Sequence, residues 1–261
     1  MITAENISYH IKSKQILRDV SLAMRAGEIL AVVGQNGAGK SSLLKILCGD
    51  LKPSSGAVKM ENVGLSEWKS ADSAKIRAVL PQDSGLNFPF TVSEVVLMGR
   101  APHLGKTESA RDYEIAEAAL AKFEVADLRD RIYPTLSGGE RQRVHLARVA
   151  AQIWEPSAEN QPRFLFLDEP ISSLDLAHQH QTLKAITRFA REGVGVFLIL
   201  HDLNLTAQYA DRILVLQNGE VLAIGTPAEI FTAPILKQAF GVEAVVSKHP
   251  FFDCPLIILS R

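Results

Sequence analysis

Gly34-Gln35-Asn36-Gly37-Ala38-Gly39-Lys40-Ser41 has the residue types and the spacing to hold a polyphosphate. Glycines leave room for backbone N–H groups to wrap phosphate oxygens, and a helix that starts here adds the positive end of its dipole. Lys40 brings a mobile positive charge to the β and γ phosphates. Ser41 offers a hydroxyl to Mg²⁺, which keeps most of its water shell and takes few protein ligands. The stretch fits G-x-x-x-x-G-K-[ST]. The bland alternative is a glycine turn capping a buried helix, and the flanks argue against it. An apolar run, Ile29-Leu30-Ala31-Val32-Val33, leads in, and Ser42-Leu43-Leu44-Lys45-Ile46-Leu47 leads out with leucines at core spacing. Strand, glycine loop and helix are the context that the motif requires.

A second chemical group is Asp168-Glu169, delivered by the apolar run Phe164-Leu165-Phe166-Leu167. Asp168, at a strand end, suits the Mg²⁺ shell opposite Ser41. Glu169 is aimed differently and suits orienting or polarising an attacking water. Two solvated loop acids are the competing reading, disfavoured by the four apolar residues that run straight into them. His201-Asp202 closes another apolar run, so His201 is expected on the same sheet edge as Gly34 and Asp168, where α/β sheets bind ligands. Leu136-Ser137-Gly138-Gly139-Glu140 precedes a strong helix and is a second anion cradle by the same dipole argument; taken alone it is equally a glycine-rich cap. Gln82, after a short strand, can orient water, touch a metal or simply cap the strand end. Tyr9, at the end of the first strand, can stack on an adenine face or pack on a neighbour. His178 and His180 are two apart on a helix and face different sides, a poor spacing for a zinc site with His201.

These groups need an α/β frame. The first 33 residues are β-rich, over 2–9, 15–24 and 28–33. Strands are expected at 57–63 and 76–82, a helix opened by Thr91-x-x-Glu94, an amphipathic helix at 108–127 and a long helix after Glu140. Further on come a helix at 176–191, a strand at 194–200, an Asn218-Gly219 hairpin and a capped helix opened by Thr226-Pro227-Ala228-Glu229. The tail beyond Gly241 carries no assigned chemistry. The resulting division is an α/β nucleotide-binding core of residues 1–85 and 161–225, a helical insert at 86–160, and a C-terminal helix and tail at 226–261.

With 261 residues, 47 % apolar and 22 % charged, the chain can bury a full core, and its net charge of −1 gives no reason to expect nucleic acid. Cys48 and Cys254 are far apart, consistent with free thiols in a reducing compartment. No apolar run approaches the ~20 residues needed to cross a bilayer, and Met1-Ile2-Thr3-Ala4-Glu5 lacks the order of a signal peptide. A cytosolic chain that meets membrane only through a partner is expected.

Gly34 to Ser41, Gln82, Leu136 to Glu140, Asp168-Glu169, Ser173-Leu174-Asp175 and His201, in that order, resemble the ATP-binding subunit of an ABC transporter over essentially all of residues 1–225. The resemblance implies a P-loop NTPase cassette with a RecA-like core, an N-terminal antiparallel β-subdomain and an inserted helical subdomain bearing the signature. It further implies an ATPase of the translocase class, with ATP and Mg²⁺, working as a head-to-tail homodimer in which each site takes its phosphate loop from one chain and its signature from the other. On that pattern Tyr9 stacks on adenine, and Gly34, Gln35, Asn36, Gly37, Ala38, Gly39, Lys40, Ser41 and Ser42 hold the phosphates. Ser41, Gln82 and Asp168 serve Mg²⁺, while Glu169 and His201 are catalytic. Ser137, Gly138 and Gly139 receive the γ-phosphate in trans, and Ser137, Gly139 and Asp175 lie at the dimer interface.

The absence of a fused membrane domain is similar to bacterial importer subunits. Asn87-Phe88-Pro89-Phe90-Thr91-Val92 and Val95-Val96-Leu97-Met98-Gly99-Arg100-Ala101-Pro102-His103-Leu104-Gly105 resemble the importers of ferric siderophores, haem and cobalamin. The polar loop at 155–163, with Leu176-Ala177-His178-Gln179-His180, is similar to hemin-import cassettes in particular. Pro170-Ile171-Ser172-Ser173 departs from the usual Pro-Thr-Ser-Ala or Ser. The implied partners are two transmembrane permease subunits and, through them, a periplasmic hemin-binding protein; the implied place is the cytoplasmic face of the bacterial inner membrane. A ferric-siderophore or cobalamin importer is the alternative within the class. A P-loop kinase or GTPase lacks its guanine reader here, and a non-transport ABC ATPase acting on nucleic acid or ribosomes would be expected to carry two cassettes or a long coiled coil.

Overall fold

A computed structural model describes residues 1–82, 85, 86, 88–156 and 161–260. Asn87 and residues 157–160 of the polar loop, on which part of the resemblance drew, lie outside the described residues. Contacts divide the chain into two compact units, residues 1–67 with 195–261, and Trp68–Val194.

In the first unit β1 (Ile2–Ile11) and β2 (Lys14–Met24) pair antiparallel. β3 (Ile29–Val33) is buried at every position, as a parallel strand covered on both faces must be. It feeds the glycine loop and α1 (Lys40–Leu47), after which β4 (Ser55–Met60) and the two-residue β5 (Val63–Gly64) complete an antiparallel sheet of order β2-β1-β4-β5.

The second unit opens with α2 (Ser70–Ile76) and β6 (Arg77–Leu80). Ile76, assigned above to the strand, is the last helical residue; its buried side chain suits either element, and the backbone becomes extended only at Arg77. Next come α3 (Val92–Leu97), α4 (Ala110–Lys122) and α5 (Gly138–Gln152). Each starts at a reciprocal capping box, Thr91 with Glu94, Ser109 with Asp112 and Ser137 with Glu140. β7 (Arg163–Asp168) lies parallel to β6, and α6 (Leu176–Arg191) follows with Asp175 as its cap.

The chain returns to the first unit through β8 (Val194–Ile199), α7 (Leu203–Tyr209) and the hairpin β9 (Arg212–Gln217) and β10 (Glu220–Gly225). Asn218 and Gly219 both have positive φ, 49° and 81°, as a two-residue primed turn requires. β3 is flanked in parallel by β8 and β9. The single C-terminal helix expected from Thr226 is two helices, α8 (Pro227–Ile230) and α9 (Ala233–Phe240). Phe231 turns inward and is 1 % exposed, while Pro234 opens α9 in a first turn where its missing N–H costs no bond. The tail forms an antiparallel pair, β11 (Ala244–Lys248) with β12 (Pro255–Leu259).

Candidate active site

The phosphate loop leaves the carboxyl end of β3 and is held from below by its neighbours. A Cβ on Gly34 would lie 2.1 Å from the Leu216 carbonyl oxygen, and one on Gly39 would lie 2.8 Å from Leu17 Cδ2. Only glycine permits these approaches. The turn residue Gly219 donates to the Ala38 carbonyl at 3.1 Å, and its own carbonyl accepts from Arg18 N–H at 2.8 Å. Gly37, by contrast, has nothing within 4 Å of the position its Cβ would take. The loop is braced on its inner side and open at its crest, where a cavity of ≈ 170 Å³ is lined by Gln35, Asn36, Gly37, Ala38, Gln217 and Asn218.

The electrostatics suit an anion. Gly39 caps α1 in the left-handed region, no side chain caps the helix, and its first turn holds no acid. Its first N–H groups therefore have no acceptor within the helix. Lys40 is 7 % exposed, and its Nζ donates to the carbonyls of Gly34 at 2.8 Å and Gln35 at 3.0 Å. Ser41 and Ser42 follow in the first turn of the same helix.

Register places two more residues at this edge. Val32 pairs with Ile199, so continuing β3 and β8 by two residues each brings Gly34 and His201 level. Tyr9 pairs with Leu17, the side chain that packs against Gly39. Directly opposed residues of an antiparallel pair share a face, so Tyr9 stands one side chain from the loop.

The second unit assembles its own set. Leu80 pairs with Leu167, so two residues on Gln82 and Glu169 are level, and Gln82 Nε2 donates to Glu169 Oε2 at 3.4 Å. Asp168 ends β7 and is 3 % exposed. Glu169 adopts φ 52°, a conformation that a non-glycine residue holds at a cost of ~1 kcal/mol or more. The reversal re-aims its carboxylate relative to Asp168, and Ser172 fixes the turn through its N–H and Oγ to the Glu169 carbonyl.

At the head of α5, Ser137 Oγ accepts from Glu140 N–H and the Glu140 carboxylate accepts from Ser137 N–H at 2.7 Å. That backbone bond, with the Ser137 hydroxyl, holds the Glu140 carboxyl below its ordinary range. Behind the cap, a Cβ on Gly139 would lie 3.0 Å from Leu174 Cδ2. The signature therefore packs against the segment that ends in Asp175. Asp175 accepts from His178 N–H and meets His178 Nδ1 at 2.9 Å, and these bonds hold its carboxyl low.

Several supports had no usable sequence signal. Tyr133 Oη and His145 Nε2 are 2.6 Å apart in the core beneath the signature. Arg141 Nε donates to the Leu136 carbonyl at 2.9 Å. Arg100 is 3 % exposed and bonds Asp112 Oδ1 at 2.9 Å. Burial pushes the Asp112 carboxyl up, but hydrogen bonds from Ser109 and Arg100 outweigh it and bring it down to about 2. The Ser109-x-x-Asp112 capping-box spacing is the sequence signal by which Asp112, though not its pairing with Arg100, could be found.

Fold and loop together define a P-loop nucleotide-binding protein. Residues 17–172 match the family model described as ABC transporter. The hemin import ATP-binding protein HmuV of Gloeobacter violaceus is 50 % identical over 99 % of this chain and 94 % of that protein. Its namesake in Pseudomonas aeruginosa is 49 % identical over 99 % of both. A structure described as a metal-chelate type ABC transporter in an inward-facing conformation superposes with TM-score 0.82 at 26 % identity, covering 100 % of this chain and 97 % of that one. A dimeric bacterial ABC transporter cassette gives TM-score 0.74 at 26 % identity, over 87 % of this chain and 98 % of that one. The chain belongs to the ABC transporter family.

Proposed function

We propose that this protein is the ATPase of a bacterial hemin importer, acting as a homodimer beneath two permease subunits and, through them, serving a periplasmic hemin-binding protein. The observation that carries the ATPase reading is the open crest of the phosphate loop, with buried Lys40 beside an uncapped helix start. The cargo rests on the hemin import relatives, since no residue described here reads haem. Among the described residues no helix is long and apolar enough to cross a membrane; attachment to the inner membrane's cytoplasmic face would come through the permease. The working division is the core of 1–85 and 161–225, the insert of 86–160 and the C-terminal 226–261.

In this mechanism Lys40 leaves the carbonyls of Gly34 and Gln35 for the β and γ phosphates, and the loop N–H groups take the remaining oxygens. The hydroxyl of Ser41, the carbonyl of Gln82 and the carboxylate of Asp168 are all hard oxygen donors, which fits Mg²⁺. When bound, that ion neutralises charge on the phosphate oxygens. Glu169 takes the proton of the attacking water, His201 hydrogen-bonds the γ-phosphate, and Tyr9 stacks on the adenine. Ser137, Gly138 and Gly139 of the second protomer complete the cradle, with Asp175 at the interface. ATP thus favours the closed dimer and its hydrolysis releases it.

Glu169→Gln should keep ATP affinity within about threefold while lowering turnover at least ~100-fold, leaving an ATP-bound dimer in size-exclusion chromatography. Normal turnover by this variant would remove Glu169 from the mechanism. For the cargo, ATPase activity in proteoliposomes should rise with a hemin-loaded binding protein. A response only to a ferric siderophore or cobalamin would favour the second reading, which the metal-chelate type neighbour supports. Co-purification with nucleic acid and no membrane partner would overturn transport.

A further inference from the structure

The C-terminal helix and the phosphate loop share a hydrogen-bonded junction inside the first unit. Gln35 Nε2, from the loop, donates to the Ala239 carbonyl at 3.0 Å. Gln217 Nε2, from the end of β9, donates to the Gln238 carbonyl at 2.6 Å. Gly241, left-handed at φ 72°, donates its N–H to the Lys237 carbonyl. A helix leaves its last four carbonyls without internal partners. Two of these in α9, the carbonyls of Gln238 and Ala239, are therefore satisfied by side chains from outside the helix, and one of the donors belongs to the phosphate loop. Both glutamine orientations are fixed by their partners, because a carbonyl can only accept.

Gln35 is held at two ends. Its own carbonyl accepts from Lys40 Nζ at 3.0 Å and from Ala38 N–H at 3.2 Å, while its side chain holds α9. Apolar packing runs the same way: Val33, which immediately precedes the loop, shares one buried cluster with Phe231, Leu236, Ala239 and Ile257. Movement of Lys40 from the loop carbonyls to a phosphate would change what the Gln35 peptide bonds to. The remainder of that residue is anchored in α9.

We propose that Gln35 is a positioning residue that straps the phosphate loop to the last turn of α9, so that nucleotide in the loop and order in the C-terminal helix are thermodynamically coupled. This deepens the ATPase reading and rests on it. Coupling of this kind is reciprocal. Ordering the loop around phosphate steadies α9, and loosening α9 weakens nucleotide binding. The 226–261 segment thereby gains a part in setting ATP affinity.

The test is hydrogen exchange on the full chain, with and without Mg-ATP, reading peptides that cover 34–42 and 236–241. In the unmodified protein both should slow on nucleotide addition, the second by about threefold. In Gln35→Ala the loop should still be protected while the effect at 236–241 disappears, and the Kd for ATP should rise about three- to tenfold, the range one hydrogen bond supplies. Gln35→Glu keeps the shape without the donor and should lose the effect at 236–241 as Gln35→Ala does, with a further fall in ATP affinity from its charge, whereas Gln35→His, with a ring N–H, should recover part of the coupling. Gln217→Ala lies outside the loop and should halve the coupling, which covers the case in which a loop variant folds poorly. Protection at 34–42 with unchanged or faster exchange at 236–241, or equal coupling with and without Gln35, overturns the strap and leaves the ATPase reading standing. No protection at 34–42 overturns that reading and the strap with it.

Discussion

Helices α1 and α5 both begin in glycines, and both are assigned to a phosphate, yet their first turns are built in opposite ways. α1 starts from left-handed Gly39 with no side-chain cap and no acid in its first turn, and Lys40 is buried beside it. α5 starts from Ser137 in a full capping box, with the Glu140 carboxylate closed over Ser137 N–H at 2.7 Å. A helix start without a side-chain cap or an acid in its first turn is ready for an external anion, because no carboxylate of its own stands in the way. One that caps itself is satisfied while empty, and its own carboxylate opposes a second negative charge. On the proposed mechanism the first binds nucleotide alone, and the second has reason to do so only when another protomer's loop already holds the phosphates. The contrast thus suits a site that becomes complete only on dimerisation.

Substitutions can break that contrast at several strengths. The largest effect should come from Gly34→Ala, whose Cβ would meet the Leu216 carbonyl oxygen at 2.1 Å with φ at 154°. Backbone against backbone cannot yield cheaply, so a loss of about 3 kcal/mol or more is expected in denaturant unfolding. Lys40→Ala comes next, with ATP affinity by calorimetry falling at least ~100-fold, as expected for removing a charge-assisted contact to phosphate. An affinity within threefold of the original would mean that α1 does not depend on its lysine.

Ser137→Ala should cost about 1 kcal/mol of stability by loss of the cap and leave the monomer's ATP affinity unchanged. The pH dependence carries a sign. The Glu140 carboxyl lies below its ordinary 4.5 when folded, so its contribution is present above that value and is lost as pH falls through the lowered one. The penalty of Glu140→Gln, which removes the charge that the Ser137 N–H binds, should therefore shrink below about pH 4.5; a penalty constant across that range would show that the cap does not involve the charge. Gly138→Ala is the smallest and most pointed case. Its Cβ would sit 3.9 Å from Ser173 Cβ, in ordinary contact, so thermal unfolding should show a gain of about 0.5 kcal/mol. ATP-driven dimerisation should weaken nonetheless, because the methyl group would stand where the partner's phosphate is assigned.

The sequence by itself determined the phosphate loop, both acids at the end of β7, the signature cap, the hairpin at Asn218-Gly219 and most of the longer strands and helices, but neither α2 nor α7. All of these depend on residues within a few positions of one another: a glycine where φ must be positive, a capping residue three before its partner, an apolar run of strand length. Its boundary errors at Ile76 and at the break between α8 and α9 arose where the local pattern was permissive, and distant packing chose. Only the tertiary structure decided that Gln82 meets Glu169, that Tyr9 stands one side chain from Gly39, that Asp112 serves Arg100 and that the C-terminal helix is capped by the phosphate loop. Those partners are 87, 12 and 204 positions apart for Gln82, Asp112 and Gln35. Hydrogen-bonding side chains on loops carry no periodicity. Their partners are set by which strands lie side by side and in what register, and that is a property of the assembled chain.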